Sequence, residues 1–590
     1  MGRDGIIEKS QMANPIPHPS GRGEMIGKRF RINLSDNSWI QDEIPQDWVL
    51  RYAGGTGLAL EAFHERLTSD QEVEVIFAPG LMAGTNAPAG HWSSAVFYDP
   101  AREQVAVSYF GGHFGRFLRL FGGGLVEIQG RSPIPVVLVL EEGRVRFVDA
   151  GELKGLDPQD VCLRLENLLG HEYHVASIGF AGEMEIPIAS LVFDGAYQRQ
   201  SSGLGAVFGR MGLKAFAVKG NEKIVPVIPQ SFYSEAKHLR NCFCQEAFPY
   251  REFSSYGSAW LFRELYQQAM LPIKNFTTSF FPECEVLSGE SLADPLRRQS
   301  IACSGCPVGC RWTTPIGDRW YNGLELEEII ALGTLCGITD PKNILKIKAH
   351  CDRLGVDPLA LGGAIAAVME SGEAKIGHPL VFGEGERVLK VFEEEENPEI
   401  ILVKLGVLSD TTRTLLRNLS WVGFMNTDPR TDSHLALQRI TWPFEEPHVL
   451  SSGAFLKELP LFADPGEEMG VARRVVAYQD FYLGLQSLGF CPWASLTFTP
   501  RGLDALLRAA LGDGLPDEAI LRFGRAVIDS ERSRSSFLQS NSPPMDRFRK
   551  LAREPVGDGP RKGQRFDITQ PWQDYLKLRD HPELDSVSLK

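Results

Sequence analysis

The sequence predicts an α+β protein whose first third is β-rich and whose remainder is mainly helical. Short runs rich in β-branched and aromatic residues, separated by glycine-containing turns, fill residues 26–222. From residue 223 onward, apolar residues recur at helical spacing in most segments. The chain has 590 residues. This length exceeds a single hydrophobic core and predicts roughly three or four domains, at about 100–200 residues each.

The domain boundaries follow these changes in pattern. Residues 1–25 form a flexible leader, residues 26–222 a β-rich domain, residues 223–420 a helical domain, and residues 421–590 a second helical domain. The leader lacks the apolar stretch and the twin arginine of an export signal, so we expect a cytoplasmic protein. No internal repeat is evident, and residues 561–590 are expected to form a polar, proline-containing wrap.

Within the β-rich domain, strand-like runs are expected from KRFRINL to KAFAVKG. Two helices interrupt them, one over GGTGLALEAFHERL and one over DPQDVCLRLENLLG. The later helices are expected in segments that carry apolar residues on one face: SEAKHLRNCF, SAWLFRELYQQAM, LEEIIALGTLCGI, NILKIKAHCDRLG, LALGGAIAAVMESGE, DTTRTLLRNLS, EEMGVARRVVAYQDFYLGLQSLGF, LDALLRAALGDG and EAILRFGRAVIDSERS.

Composition and charge exclude two classes of function. Apolar residues make up 43% and charged residues 23%, the ordinary balance of a soluble globular protein. The formal net charge of −14 argues against nucleic-acid binding, which needs a basic surface. The sequence contains no apolar run of about 20 residues, the length that spans a membrane.

The ten cysteines are the most informative residues. In a chain without an export signal they are unlike disulfide partners, because the cytosol is reducing. Three of them form a CxxCxxxC motif on a Gly/Pro-rich turn: Cys303, Cys306 and Cys310. An iron–sulfur cubane needs a fourth thiolate, and Cys491 is the best candidate because it ends a helical stretch. Structural zinc and a chance grouping remain as alternatives.

By themselves, the other motifs have ordinary structural interpretations. The glycine turns at 54–57 and 203–205 fit packing turns as well as phosphate-binding helix starts, and neither matches a dinucleotide-binding pattern. Glu327 lies where acidic residues commonly begin a helix. The segment Asp352–Asp357 fits a capped helix end, and a lone histidine such as His448 is usually structural.

In their order along the chain, however, these pieces resemble the aldehyde:ferredoxin oxidoreductase family of tungsten-pterin enzymes. The resemblance covers residues 25–580 and rests on segments that recur in the family's order: IGKRFRINL, GGTGLALEAFHE, GTNAPAG, FGGHFGRFLRLFGGGLVEIQG, IGFAGEMEIPIAS, GLGAVFGRMGLKAFAVKG, LPIKNFTTSFF, CSGCPVGC, GLELEEIIALGTLCGI, HCDRLGVD, NTDPR, FYLGLQSLGFC and EPVGDGPRKG. Each segment is modest, but their order and spacing together are specific.

The resemblance implies an N-terminal β-sheet base that binds two molybdopterins, with two helical domains closing over it. The dithiolenes would hold one tungsten or molybdenum, and Mg²⁺ would bridge the pterin phosphates. A 4Fe-4S cluster on the four cysteines would pass electrons singly to ferredoxin or to an iron–sulfur partner subunit. The family's interface-iron motif reads Lys346-Ile-Lys-Ala349 here, so any homodimer would lack that iron.

The resemblance also assigns roles to individual residues. Glu327 matches the family glutamate near tungsten and would be the general base. His448 matches the family histidine and would stabilise charge on the substrate oxygen. Asp352 begins the first pterin-binding motif, and its carboxylate would accept the ring N–H groups. The cofactor-binding positions implied are Gly54, Gly55, Gly57, Gly203, Gly205, Asp352, Gly355, Asp357, Gln486 and Gly489.

Several positions depart from the family pattern. Gln486 replaces the aspartate of the second motif and can accept a hydrogen bond only without charge. The family arginines of the first glycine loop and of the GTNAPAG segment are Thr56 and Trp92. Tyr197 lies in the arginine-poor lead to the second loop, and Tyr109 replaces an asparagine beside the magnesium. Fewer arginines predict weaker phosphate binding, unless residues such as Arg116 and Arg119 compensate.

The sequence thus favours oxidation of an aldehyde to its carboxylic acid at a tungsten or molybdenum bis-pterin centre. One alternative is low-potential reduction of an aromatic acyl-CoA on the same scaffold. A second alternative is a pterin-free, cluster-bearing subunit for electron transfer or structure. The sequence does not identify the aldehyde, distinguish tungsten from molybdenum or define the electron acceptor.

Overall fold

The structure is a computed structural model of the full chain. It describes residues 25–69, 73–99, 103–195, 197–198, 203–245, 250–297, 299–372, 378–395, 397–407, 427–442, 444, 459, 461, 470–512, 514–534, 554–565 and 568–581. Within these residues, no helix is both long enough and apolar enough to cross a membrane.

The N-terminal domain contains two six-stranded mixed sheets. The first has the strand order β2-β1-β6-β3-β4-β5, built from β1 (Lys28–Asn33), β2 (Ser38–Glu43), β3 (Val75–Pro79), β4 (Ser93–Asp99), β5 (Gln104–Phe110) and β6 (Gly123–Gln129). The second has the order β11-β10-β9-β12-β7-β8, built from β7 (Val136–Glu141), β8 (Arg144–Asp149), β9 (His174–Ser177), β10 (Val192–Phe193), β11 (Tyr197–Gln198) and β12 (Leu213–Val218).

The two sheets repeat one topology, which the sequence analysis missed. Reversing the second order gives β8-β7-β12-β9-β10-β11, which matches the first sheet strand for strand. In both sheets the second and third strands of this order are parallel and every other pairing is antiparallel. The expectation of no internal repeat was therefore wrong for the structure. The repeat consists of a shared strand order, without evident similarity between the two amino-acid sequences.

The two sheets face each other across an aromatic core. Phe110 of β5 stacks on Phe193 of β10 with the ring centroids 4.3 Å apart. Phe77 of β3 and Phe216 of β12 make an edge-on contact at 5.4 Å. Such pairs contribute about 0.5–1.5 kcal/mol each beyond their buried area. These aromatic contacts join the two sheets into one unit. The turns that connect their strands are therefore held in place.

Helices of the N-terminal domain connect the strands. Their bounds are α1 (Gln46–Tyr52), α2 (Gly55–Thr68), α3 (Phe114–Leu120), α4 (Pro158–Leu169), α5 (Phe180–Glu183) and α6 (Leu204–Arg210). Helix α2 begins directly at the first glycine turn, and α6 begins at the second. Each glycine turn is therefore held at the start of a helix that connects two strands of its sheet.

The rest of the described chain is mainly helical, as expected. Its helices are α7 (Pro229–Gln245), α8 (Tyr250–Tyr256), α9 (Phe262–Gln267), α10 (Gly289–Leu296), α11 (Leu326–Ile329), α12 (Pro341–Leu354), α13 (Pro358–Ser371), α14 (Gly385–Glu394), α15 (Pro398–Lys404), α16 (Ser433–Thr441), α17 (Val471–Leu488), α18 (Pro500–Leu511), α19 (Ala519–Arg534) and α20 (Thr569–Asp580). The helix expected over DTTRTLLRNLS lies outside the described residues.

Two features of this region differ from the sequence-based expectation. A small sheet of β13 (Gln299–Ile301), β14 (Arg311–Ile316) and β15 (Arg319–Asn322) brackets the cysteine motif. Residues 569–580, expected to be a polar wrap, form α20. Its Trp572 and Tyr575 are fully buried, and Arg579 forms a 2.5 Å ion pair with Asp480 on α17. Spacing of three and four residues places these side chains on one helical face.

Candidate metal and cofactor site

The CxxCxxxC motif forms a tight loop between β13 and β14. Gly305 and Gly309 have φ of +65° and +61°, the left-handed conformation that glycine adopts without strain. The N–H of Cys306 donates to the carbonyl of Cys303 at 3.1 Å, closing one turn of the loop. The N–H of Ser304 donates to Gly112 of the N-terminal domain at 3.0 Å, which ties the loop to the first sheet.

Cys491 joins this loop from the end of α17. Helix α17 ends at Gly489, whose φ of +84° turns the chain. The N–H of Cys491 then donates to the carbonyl of Ala89 at 2.9 Å. Burial raises the pKa of the Cys491 thiol, and charge on the three motif cysteines raises it further. All four predicted ligands therefore lie within electrostatic reach of one another.

A set of four buried thiols can hold a single metal ion or a cluster. Burial, and then charge on Cys303, raises the pKa of Cys306 to about 12, so four thiolates together need a strongly positive partner. Across the part of the chain that the structure describes, no three His, Cys, Asp or Glu side chains converge on a point that would suit one metal ion. Zinc requires thiolates about 2.3 Å from a single centre, whereas a cubane takes each thiolate at a different corner.

Uncharged rings form the wall between the cysteines and the first sheet. The Trp92 and Tyr109 rings lie 5.0 Å apart. A Cβ atom on Gly111 would lie 2.9 Å from the indole nitrogen of Trp92 and 3.1 Å from Cys303 Sγ. The Tyr109 hydroxyl donates to the carbonyl of Phe490 at 2.7 Å, directly before Cys491. The Trp92 side chain therefore lies beside the cysteine loop, and Tyr109 holds the Cys491 segment.

His91 also contacts the cysteine loop. Its Nδ1 accepts the Gly84 N–H at 3.2 Å, which leaves the proton on Nε2. A Cβ atom on Gly305 would lie 2.4 Å from His91 Nε2, so only glycine fits there. Burial lowers the pKa of His91 to about 3, so the ring is neutral. The side chains contributed by this part of the first sheet are therefore neutral.

The first glycine turn packs directly on the second pterin-binding motif. A Cβ atom on Gly54 would lie 2.9 Å from the Ser487 carbonyl, and one on Gly55 would lie 2.4 Å from the Gln486 carbonyl. Leu81 N–H donates to the Ser487 carbonyl at 3.2 Å. We call this contact between residues 54–57 and 486–489 half-site one. A Cβ atom on Gly57 would instead lie 2.8 Å from the side chain of Tyr52 on α1.

The side chains of half-site one are neutral, and two of them, Thr56 and Gln486, are hydrogen-bonded to each other. The Thr56 and Ser94 hydroxyl oxygens lie 2.5 Å apart, and Thr56 also donates to Gln486 Oε1 at 3.3 Å. Thr56 is fully buried and Gln486 is 8% exposed. The two departures from the family pattern at positions 56 and 486 are therefore direct neighbours.

The second glycine turn packs near the first pterin-binding motif. A Cβ atom on Gly205 would lie 2.6 Å from the Ser190 carbonyl, and the Ser190 N–H donates to the Gly355 carbonyl at 2.9 Å. Gly203 has φ of +95° and its N–H donates to Ala189. Gly355 caps α12 at φ of +69°, as expected from the sequence. We call residues 203–205 with 352–357 half-site two.

Half-site two is charged, and it contains an open hydrogen-bond acceptor. Asp352 Oδ2 accepts from Lys348 at 2.6 Å, while Asp352 Oδ1 is buried without a hydrogen-bond partner. Asp357 instead caps α13, accepting the Leu359 N–H at 2.8 Å. The open Oδ1 atom suits a pterin N–H donor, so the residues of this half-site fit the cofactor that the family pattern implies.

The remaining predicted residues are placed as follows. Glu327 is partly exposed in the first turn of α11, where Glu325 and Glu328 form a capping box, and a π-helical turn follows at Ile330–Thr334. Such turns are frequent at functional sites. His448 lies outside the described residues, as does the side chain of Tyr197. Arg116 donates to Ser304 in the cysteine loop at 3.0 Å, and so lies beside the cluster.

Two elements of the site were not found from the sequence. Lys348 has no motif of its own, and only its position four residues before Asp352 indicated that the two could meet. Trp92 and Tyr109 were noted as departures, but their mutual contact depends on the antiparallel pairing of β4 with β5. Strand register of this kind cannot be deduced from the two segments alone.

The fold and the site together define an iron–sulfur oxidoreductase with two cofactor half-sites on a duplicated β base. Residues 29–220 match the model of the N-terminal domain of aldehyde ferredoxin oxidoreductases, and residues 236–399 match the model of their domains 2 and 3. These matches cover more than half of the chain, which therefore belongs to the aldehyde ferredoxin oxidoreductase family. Membership implies a tungsten–pterin centre and an iron–sulfur cluster.

Relatives extend the likeness beyond residue 399. The chain is 26% identical to a tungsten-containing aldehyde ferredoxin oxidoreductase of Thermococcus kodakarensis, over 94% of this chain and 96% of that protein. The identity to the Pyrococcus furiosus protein of the same description is also 26%, with the same shares covered. An aliphatic sulfonate oxidoreductase, WOR-like subunit, of Pyrococcus furiosus is 23% identical over 58% of this chain and 59% of its own length.

A solved structure has the same fold. It is the active-site complex BamBC of benzoyl coenzyme A reductase with 1,5-dienoyl-CoA. The TM-score is 0.73 at 18% identity, and the match covers 96% of this chain and 97% of that one. At this identity the likeness concerns the fold alone.

Proposed function

We propose that the protein oxidises an aldehyde to its carboxylic acid and passes the electrons through a 4Fe-4S cluster. The observation that carries this proposal is one continuous turn, Gln486–Cys491, which contributes to half-site one at its beginning and to the cysteine site at its end. A cofactor in half-site one and a cluster on Cys491 would be neighbours. Electrons would then cross a short distance between them.

The reaction balances with water as the second reactant. An aldehyde and one water give a carboxylic acid, two protons and two electrons, and the electrons leave one at a time. The family's cofactor, which half-sites one and two would hold, would supply the two-electron acceptor and a Lewis acid for the carbonyl. Glu327 takes a proton from the attacking water as general base. His448 donates a hydrogen bond to the substrate oxygen. Ferredoxin or an iron–sulfur partner subunit receives the electrons.

Metal analysis of anaerobically purified protein tests this proposal first. About one tungsten or molybdenum per chain, together with four irons, is expected from the family's cofactor set. Aldehyde-dependent reduction of a viologen dye should then be detectable. Iron without either heavy metal, in cells supplied with both, would instead support the pterin-free alternative.

The Glu327→Gln variant tests the proposed base. It should retain tungsten and iron, yet lose turnover by about 10²-fold or more, the usual contribution of a general base. Glu399→Gln is a matched control, because Glu399 also lies in the first turn of a helix but is solvent-exposed. Equal turnover in wild type and Glu327→Gln would reject the base assignment.

A second candidate function is low-potential reduction of an aromatic acyl-CoA. Two observations favour it. The structural neighbour is described as a benzoyl coenzyme A reductase complex. In addition, the Trp92 side chain next to Cys303 is uncharged, so at this position it favours the more negative, reduced cluster less than an arginine would. Dienoyl-CoA formation from an aromatic acyl-CoA with a strong reductant, and no aldehyde oxidation, would select this candidate.

A further inference from the structure

A buried lysine lies behind the open acceptor of half-site two. Lys348 is on α12, and its side chain is 1% exposed. Its Nζ donates to Asp352 Oδ2 at 2.6 Å and to the Asn322 carbonyl at 3.4 Å. Glu328 of α11 is close enough to act on Lys348 through its charge. Burying an ammonium is expensive unless it is paired, so this position calls for an explanation.

The pairing around Lys348 is incomplete in one specific place. Glu328 accepts the Glu325 N–H at 2.9 Å and so forms part of the N-terminal cap of α11. Asp352 has its Oδ2 on Lys348, but its Oδ1 is buried and has no hydrogen-bond partner. The large majority of buried side-chain polar atoms have a hydrogen-bond partner. The open Oδ1 atom therefore points to a donor that the chain itself does not supply.

The charge of Lys348 determines whether Asp352 is a carboxylate, which accepts hydrogen bonds, or a protonated carboxyl, which also donates one. Burial by itself lowers the pKa of Lys348, but the charges of Asp352 and Glu328 raise it overall, so the amine stays protonated. Burial raises the pKa of Asp352, and Lys348 opposes that rise. Without the lysine, burial would act unopposed and favour a protonated carboxyl. A protonated carboxyl carries an O–H donor, which is a poor match for a ring N–H.

We propose that Lys348 is a positioning residue for the pterin in half-site two: it holds Asp352 as a carboxylate turned so that Oδ1 faces the ring N–H donors. The inference rests on the pterin chemistry of the proposed function and goes beyond it, because it assigns a role to a residue outside the pterin-binding motif. Lys348 acts through Asp352 and needs no contact with the cofactor.

The test compares protein-bound pterin and iron in variants purified from one host. Lys348→Met should bind pterin about ten- to hundredfold more weakly, the change that corresponds to losing one hydrogen bond to a charged acceptor. Iron should stay at the wild-type level, because the cysteine loop is separate from α12. Lys348→Arg should recover part of the pterin. Lys346→Met is the matched control, since Lys346 lies on the same helix but is 47% exposed, and it should bind pterin like wild type.

A double variant keeps the test decisive if Lys348→Met fails to fold. Lys348→Met with Asp352→Asn removes both buried charges together, so the protein should fold and retain iron. Because Lys348 acts through Asp352, the double variant should bind pterin no more weakly than Asp352→Asn alone, and a further loss would contradict that route. Wild-type pterin content in either Lys348→Met or the double variant would overturn the inference while leaving the proposed function intact. A wild-type protein that contains iron but no pterin would overturn both.

Discussion

A carboxylate at position 486 should destabilise the cofactor-free protein, because half-site one offers it no cation. Gln486 is 8% exposed and accepts one bond from Thr56, whose hydroxyl is shared with Ser94. Gln486→Asp restores the family residue into these neutral surroundings. Burial raises the pKa of such a carboxyl by about 3 units or more. At 1.36 kcal/mol per unit, the ionised form is disfavoured by about 4 kcal/mol.

The sign of the pH dependence follows from this raised pKa. Between the unfolded and folded pKa values, the folded state binds more protons, so stability falls as pH rises. The loss should be about 4 kcal/mol near pH 8 and about 1.5 kcal/mol near pH 5. Gln486→Asn is the matched control, because it shortens the side chain equally without adding charge. The difference between the two variants isolates the charge.

The assay is urea unfolding of cofactor-free protein at both pH values. The difference in urea midpoint between Gln486→Asp and Gln486→Asn should increase as pH rises. Equal midpoints near pH 8 would refute the reasoning, because they would mean that a cation reaches half-site one. In cofactor-loaded protein the difference in urea midpoint should be smaller, because a pterin in half-site one would supply N–H donors to the carboxylate.

Two further predictions concern the cluster wall and acid stability. Trp92→Arg places a positive charge beside Cys303 and should raise the midpoint potential of the cluster in an EPR-monitored redox titration. Trp92→Phe should not, and equal potentials in all three proteins would contradict the neutral-wall argument. Burial lowers the pKa of His350 to about 4, below its unfolded value, so stability should fall as pH drops through that interval. His350→Gln should remove up to about 3 kcal/mol of this loss in acid unfolding curves, and an unchanged curve would reject the assignment.

Local pattern was sufficient to predict most elements and to single out the cysteine motif. Alternating apolar runs matched β3 to β8, and helical spacing matched α12, α13 and α17 to α19. A thiolate motif is readable in sequence because its chemistry depends on residue type and close spacing. Cys491 was predicted as the fourth ligand despite its distance along the chain; the structure brings it within electrostatic reach of the other three cysteines, and its role as a ligand stays a prediction.

Other features depend on contacts that no local pattern encodes. The duplicated sheet order is a property of strand pairing, and β11, a strand of two residues, carries almost no signal. Helix α20 was missed because much of its surface is polar, and its fully buried contacts come from a few residues, Trp572, Tyr575 and Arg579. The open oxygen of Asp352 is visible only once Lys348 is placed.

The two departures in half-site one are best understood as a single change. Thr56 and Gln486 touch at 3.3 Å, and the family pattern has an arginine and an aspartate at these positions. A buried charge without a compensating partner costs several kcal/mol, so one charged residue alone would be costly in these neutral surroundings. Neutral residues at both positions avoid that penalty and leave a hydrogen-bonded network. Half-site two keeps its charge on Lys348 and Asp352, so the two halves of a symmetric base would hold their cofactors by different interactions. The half-site that shares its turn with Cys491 is the neutral one, and electrons bound for the cluster would leave through it.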